Sequence, residues 1–264
     1  MNMALTLAQV RGEELRKQII HTFESGQHVY VELSLFGLDI SITKAVVWLW
    51  IGSLVTFLLL FFGSRALKNR PGAYQVIVEE IYGFGANSLA GQMGEGGKKW
   101  FPYTLSLFVF LLVLNLMGLI PNSYPVTSSI SFTLVLALLT FGLAQYQGIR
   151  SNGAGRYVAA FVPPNLPLKI FFVPFMFVIE VISELSKPLT LAMRLYANIL
   201  AGHLLIFIFL SFILYFGTPA VALFSVPAAV VLFAFEVFIA VLQAYIFAIL
   251  TQVYIEIAMY RQEH

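Results

Sequence analysis

The sequence predicts an all-α polytopic membrane protein, and three observations carry that prediction. Of its 264 residues, 59% are hydrophobic and only 11% charged, whereas a soluble domain carries about 25% charged residues. The apolar residues form continuous runs long enough to cross a bilayer; they do not alternate as the strands of a membrane barrel would. The basic residues gather in alternate connections between those runs, as they do in membrane proteins of fixed orientation.

Composition also excludes function classes. The net charge of +2 is too small to argue for a nucleic-acid partner. With no cysteine in the chain, disulfides, thiolate metal sites and cysteine nucleophiles are absent. His21, His28, His203 and His264 are too scattered to form a metal-ligand pattern. Neither a metal nor a cofactor is expected.

Residues 1–39 mix Glu13, Glu14, Glu24 and Glu32 with Arg11, Arg16 and Lys17. That is neither an acid-poor transit peptide nor a secretory signal with an early apolar core, so a water-exposed N-terminal arm is expected there. A single membrane domain is expected over 40–264. Its first span is AVVWLWIGSLVTFLLLFFG, residues 45–63, followed at once by Arg65, Lys68 and Arg70. The stretch AYQVIVEEIYGF opens a glycine-rich segment with helical spacing and predicts an interfacial amphipathic helix over about 73–95. The next spans are 101–120, ending in NLMGLIP, and 129–147, with the uncharged loop NSYPVTSS between them. GEGGKKW at 94–100 lacks the Lys-Ser/Thr ending and the preceding strand of a phosphate-binding loop.

Residues 168–216 and 226–258 are almost continuously apolar, with YFGTPAVALFSVP read as the turn between them. As single helices they would be about 73 Å and about 50 Å long, against a hydrocarbon core of about 30 Å. Each therefore contains more than one crossing or is strongly tilted, and Pro188 permits either a kink or a break. Counting each as one pass gives five crossings. The loops holding Arg65, Lys68, Arg70, Lys98 and Lys99, and then Arg150, Arg156 and Lys169, are basic. They should face the cytoplasm or its equivalent, which puts the N-terminus outside and the C-terminus, with Arg261, inside.

Arg194 is the residue that points to function. Between Tyr157 and Tyr260 it is the only arginine. A cation at membrane depth costs between about 3 and about 17 kcal/mol, depending on how far it can reach toward water. Arginine does not escape that cost by deprotonating. On a helix, Asn198 falls about 40° from Arg194, Lys187 about 20°, Ser183 about −20° and Glu180 about 40°, so these five residues read as one lined path. His203 falls about 180° away and faces elsewhere. Glu236 and Gln243 share a face of the last segment. In a hairpin of the two segments, Glu236 can approach His203 and Gln243 can approach Arg194. A carboxylate beside an imidazole can relay protons, because modest shifts bring both groups to titrate near neutral pH.

SKPLTLAMRLYANILAGHLL and the downstream FEVFIAVLQAYIFAILTQVYI closely resemble the C-terminal half of subunit a of F-type ATP synthases, and NLMGLIP resembles another element of that family. The resemblance runs in order over roughly 40–264. It implies that 168–216 and 226–258 are a pair of long, strongly tilted helices lying along a membrane rotor. Arg194 then matches the essential stator arginine. Asn115, Asn198, His203, Glu236 and Gln243 match positions lining the outer half-channel, and Glu180 and Ser183 match positions near the inner one. Many bacterial members carry Glu at the position of His203 and His at that of Glu236. The exchange here, as in mitochondrial and some bacterial members, keeps one acid and one imidazole. The implied partners are the rotor c-ring, the peripheral stalk subunit b, other ATP synthase subunits and the lipid bilayer. The implied location is an energy-transducing membrane, bacterial plasma or mitochondrial inner. The chain would move protons, with nucleotide handled by other subunits. The rival reading is a self-contained proton-coupled transporter, which predicts internal repeats and broken helices at the midplane; no repeat is evident.

Overall fold

The computed structural model describes residues 29–32, 34–35, 38–39, 41–65, 72–88, 97–120, 123–161 and 169–261. Most of the N-terminal arm therefore lies outside the described residues. Its last part forms two small antiparallel pairs, β1 (Val29–Val31) with β4 (Ile42–Thr43), and β2 (Ser34–Leu35) with β3 (Leu38–Asp39). These strands were not anticipated, being too short to show a period-two pattern.

The rest is helical, and five of the helices are long and apolar enough to cross a membrane. In chain order they alternate with shorter elements: α1 (Lys44–Arg65), α2 (Ala73–Ser88), α3 (Phe101–Gly118), α4 (Ile130–Asn152), the short α5 (Ala154–Ala159), α6 (Lys169–Phe216) and α7 (Pro219–Met259). Helices are forced here because lipid offers the backbone no hydrogen-bond partner, so each apolar run must satisfy its own amides. The helix expected over 73–95 is found over Ala73–Ser88, and residues 89–96 lie outside the described set. Lys98 and Lys99, of the rejected phosphate-loop candidate, sit in a 3-10 turn, Gly97–Trp100, that runs directly into α3. The span expected to end at 147 continues to Asn152, where Gly153 adopts φ 79°. Glycine holds that conformation without the steric cost other residues meet.

The long segments are single helices. α6 has 48 residues and runs through both Pro174 and Pro188; α7 has 41 and runs through Pro227. Residues 215–227, read as a turn, are mostly helix. Only Gly217 and Thr218 separate α6 from α7, with Gly217 at φ 62°. Pro219 falls inside the stretch read as the turn. It stands at the start of α7, where a missing N–H costs nothing and a fixed φ suits the helix.

The core lies where α3 crosses the α6–α7 hairpin. Phe108, Val109, Leu111 and Leu114 of α3 are buried with Leu191 and Leu195 of α6 and with Ala244, Phe247 and Ala248 of α7. Ala240, Ala244 and Ala248 have no exposed surface. They recur once per turn, so α7 offers a smooth face that neighbouring backbones approach closely. The connections alternate between two ends of the bundle. The α3–α4 loop and the Gly217–Thr218 turn share one end; α2, α5 and the C-terminal end of α7 share the other.

Candidate functional site

Two polar clusters and one isolated cation occupy this frame. The first cluster joins α6 to α7 and α3. His203 Nδ1 and Glu236 Oε1 meet as an ion pair, charged when the ring is protonated, without the angles of a regular hydrogen bond. His203 Nε2 lies 3.2 Å from the carbonyl of Gly118, at the end of α3. Glu236 is 2% exposed, and its side chain fits only because residue 202 is glycine. A Cβ there would stand 2.7 Å from Glu236 Oε1 and 2.9 Å from its carboxyl carbon. Gly202→Ala should therefore displace the Glu236 carboxylate. The expected result is normal insertion with proton conduction lowered about tenfold, as a misplacement of about 1 Å can cost far more than that. Passive conductance of vesicles, beside immunoblotting for the subunit, measures it.

Asn115 stands one turn before Gly118. Its Nδ2 donates to the carbonyl of Ala240 at 3.0 Å, while its buried Oδ1 has no partner. Gln243, on the face of α7 that carries Glu236, is also buried.

The second cluster lies toward the C-terminal end and was not foreseen. Arg261 Nη1 donates to Glu184 Oε1 at 2.9 Å, and its Nη2 pairs with Glu180. Glu184 Oε1 also accepts from Lys187 Nζ at 2.6 Å, and its Oε2 accepts from Gln145 at 3.1 Å. Tyr157 donates to Gln145 at 2.7 Å. The Arg261 guanidinium lies 3.9 Å from the Phe161 ring centroid, a stacking for which its plane is suited. The lined path expected along α6 is thus divided. Glu180 and Lys187 turn into this ion-pair network, because Arg261 and Glu184 stand within reach of them; Ser183 and Arg194 are exposed, and Asn198 is partly so. Sequence reading missed Glu184 and Arg261 as partners because they are separated by 77 residues.

Removing Arg261 would leave two carboxylates against one lysine. Arg261→Ala should destabilise the folded subunit by about 3 kcal/mol, the low end for breaking a buried pair, since Glu180 is partly exposed to solvent. Arg261→Lys should recover part of that. Thermal melting in detergent compares the two.

Arg194 differs from all of these. It is exposed and, among the described residues, has no hydrogen bond or ion pair. Its neighbours on the surface of α6 include Thr190, Met193, Ala197 and Ala201, all exposed, and the partly exposed Asn198. No hydrogen bond joins it to Gln243, which the sequence placed within its reach. Gln243 faces the bundle interior and Arg194 faces outward.

Comparison with known proteins bears on what such a site serves. Residues 46–256 match the family described as ATP synthase A chain. A protein of Rubrobacter xylanophilus named ATP synthase subunit a is 58% identical over 97% of this chain and 99% of its own length.

The chain belongs to the ATP synthase A chain family.

Relatives of the same name from Chelativorans sp. and Parvibaculum lavamentivorans are 38% and 35% identical, over 77% and 72% of this chain and 80% and 72% of their own lengths. Membership in the ATP synthase A chain family places the chain among proton-translocating membrane subunits that are not themselves catalytic, and it agrees with five apolar helices long enough to span.

Proposed function

We propose that this chain is the ion-translocating stator subunit of a rotary F-type ATP synthase, supplying two proton half-channels that Arg194 keeps apart. The observation that carries the reading is Arg194 itself: a permanent cation, exposed and without a hydrogen bond or ion pair among the described residues, on a surface of α6 that includes Thr190, Ala197 and Ala201. Facing lipid, such a charge is costly. Facing a carboxylate on a neighbouring rotor subunit, it is compensated. The small side chains of Ala197 and Ala201 suit the close approach of another helix.

The chemistry follows from charge. Arg194 favours the ionised rotor carboxylate, so a proton is released as that carboxylate arrives. It also repels a proton that would cross directly between the half-channels. The transmembrane potential supplies about 2.3 kcal/mol per charge per 100 mV, and a leak at this point would dissipate it. His203, Glu236, Asn115, Asn198 and Gln243 serve the outer half-channel; Glu180 and Ser183 stand at the inner one, where Arg261 holds Glu180. α6 and α7, about 72 Å and about 62 Å long by their residue counts, lie strongly tilted along the rotor ring, since the hydrocarbon is about 30 Å thick. α2 rests on the membrane surface. The N-terminal arm lies in water outside and the C-terminus in the cytoplasm of a bacterial cell, with the stalk subunit b and the other subunits completing the complex.

The test is contact. The chain lacks cysteine, so Ala197→Cys introduces a unique thiol one turn from Arg194. It should form a disulfide with a cysteine placed beside the rotor carboxylate. No cross-link to any ring position would overturn the reading. Coupled transport by the chain reconstituted alone would favour the self-contained transporter instead.

A further inference from the structure

The buried serine and threonine hydroxyls among the described residues follow a rule with two exceptions. Thr56, Thr104, Thr133, Thr140 and Thr251 are all buried. Each donates to a carbonyl three or four residues earlier in its own chain: Thr56 to Gly52, Thr104 to Trp100 and Phe101, Thr133 to Ser129 and Ile130, Thr140 to Ala137, and Thr251 to Phe247. In an apolar setting this is how a hydroxyl avoids being stranded. Thr127 and Ser225 are as deeply buried, at 0% and 1% exposure, yet neither hydroxyl has a partner. Ser128, next to Thr127, does donate to Pro125, at 2.7 Å. A stranded buried hydroxyl costs about 1–3 kcal/mol, and such groups are ordinarily satisfied by internal water.

Their placement gives the exceptions meaning. Thr127 lies in a 3-10 turn, Val126–Ser128, that packs against α3, α4 and α6 at the end of the bundle where the Gly217–Thr218 turn lies. Pro125, just before that turn, lies so close to Gly118 that a Cβ at residue 118 would stand 2.9 Å from it, and the Gly118 carbonyl faces His203. Ser225 is on α7 between the Gly217–Thr218 turn and Glu236. It is about 16 Å from Glu236 along the helix and only about 20° from it around the axis. Asn115 Oδ1 is likewise buried without a hydrogen-bond partner, and His203 Nδ1 and Glu236 Oε1 meet only each other.

We infer that Thr127 and Ser225 are water-binding stations of the outer half-channel, handing water and the proton it carries from the membrane surface to His203 and Glu236. The inference rests on the half-channel reading above and adds the route into it. Each hydroxyl can both donate and accept, so it can join a water chain without itself changing charge. Asn115 Oδ1 supplies a fixed acceptor beside that chain.

The absence of native cysteine makes the test direct. Thr127→Cys, Ser225→Cys, His203→Cys and Thr140→Cys are made singly in the whole complex. Right-side-out vesicles are exposed to silver ion, a small probe that reacts with thiolates and therefore reports water, and modification is read as protection from later alkylation. Thr127→Cys and Ser225→Cys should react at least tenfold faster than Thr140→Cys, the self-bonded control. Reactivity at His203→Cys with none at 127 and 225 overturns the route and leaves the half-channel standing. Silence at all three removes the half-channel as well. Reaction at one of the two hydroxyl positions withdraws the other from the route. Where cysteine at 127 prevents assembly, Thr127→Val keeps the shape and deletes the hydroxyl. Proton conductance should then fall severalfold, and an unchanged conductance overturns the assignment of Thr127.

Discussion

Arg194→Ala is expected to abolish ATP-driven proton pumping in inverted vesicles while the complex still assembles. Arg194 is exposed and bonds to no described residue, so its removal opens no cavity and strands no buried partner. The costs that usually accompany a core substitution do not arise. What disappears is a charge on the ion path. Arg194→Lys should also pump at a small fraction of the normal rate, because lysine loses its proton when desolvated and has no planar fork for a carboxylate. Near-normal pumping by either variant, at normal subunit levels, would sink the stator reading.

The second large effect belongs to His203 and Glu236. Each alanine variant should slow passive proton conductance by about tenfold or more, and the double variant should be little slower than the worse single one. The two side chains are in contact, and residues in contact give non-additive changes when removed together. Strictly additive losses would mean that the carboxylate and the imidazole act separately. Exchanging them, His203→Glu with Glu236→His, should restore part of the flux lost by either alanine variant. The exchange is not free of constraint, because Gly202 is shaped to the present Glu236 side chain.

Much of this architecture was legible in the residues. Every expected span is found as a helix, and the contact between His203 and Glu236 follows from folding 168–216 and 226–258 back on each other. The turn between the long segments was read over 215–227, where the structure leaves only Gly217 and Thr218 outside helix. Pro219, Pro227, Pro174 and Pro188 all carry the same local warning, yet the first opens a helix and the others lie inside one. In a membrane the neighbouring helices re-satisfy freed carbonyls, so a proline mid-helix is tolerated there. The polar stripe on α6 was misread for another reason. Helical spacing placed Glu180, Lys187 and Arg194 on one side, but Glu180 pairs with Arg261, just beyond α7, and Lys187 with Glu184, while Arg194 joins neither. Periodicity gives the direction of a side chain and not what stands opposite.

The sequence by itself determined that this is a helical membrane protein with five long apolar runs and an arginine within one of them. Those properties are local: an unbroken apolar run in lipid has no backbone solution but a helix, and arginine keeps its charge wherever it is put. Only the tertiary structure decided which polar groups meet. It paired Arg261 with Glu180 and Glu184, set Gly202 beneath Glu236, left Arg194 exposed without an ion pair, and left Thr127 and Ser225 without hydrogen-bond partners. Those outcomes depend on the rotation and register of α6 and α7 against α3 and α4. Side-chain packing across the whole bundle sets them, and no short window of residues encodes it.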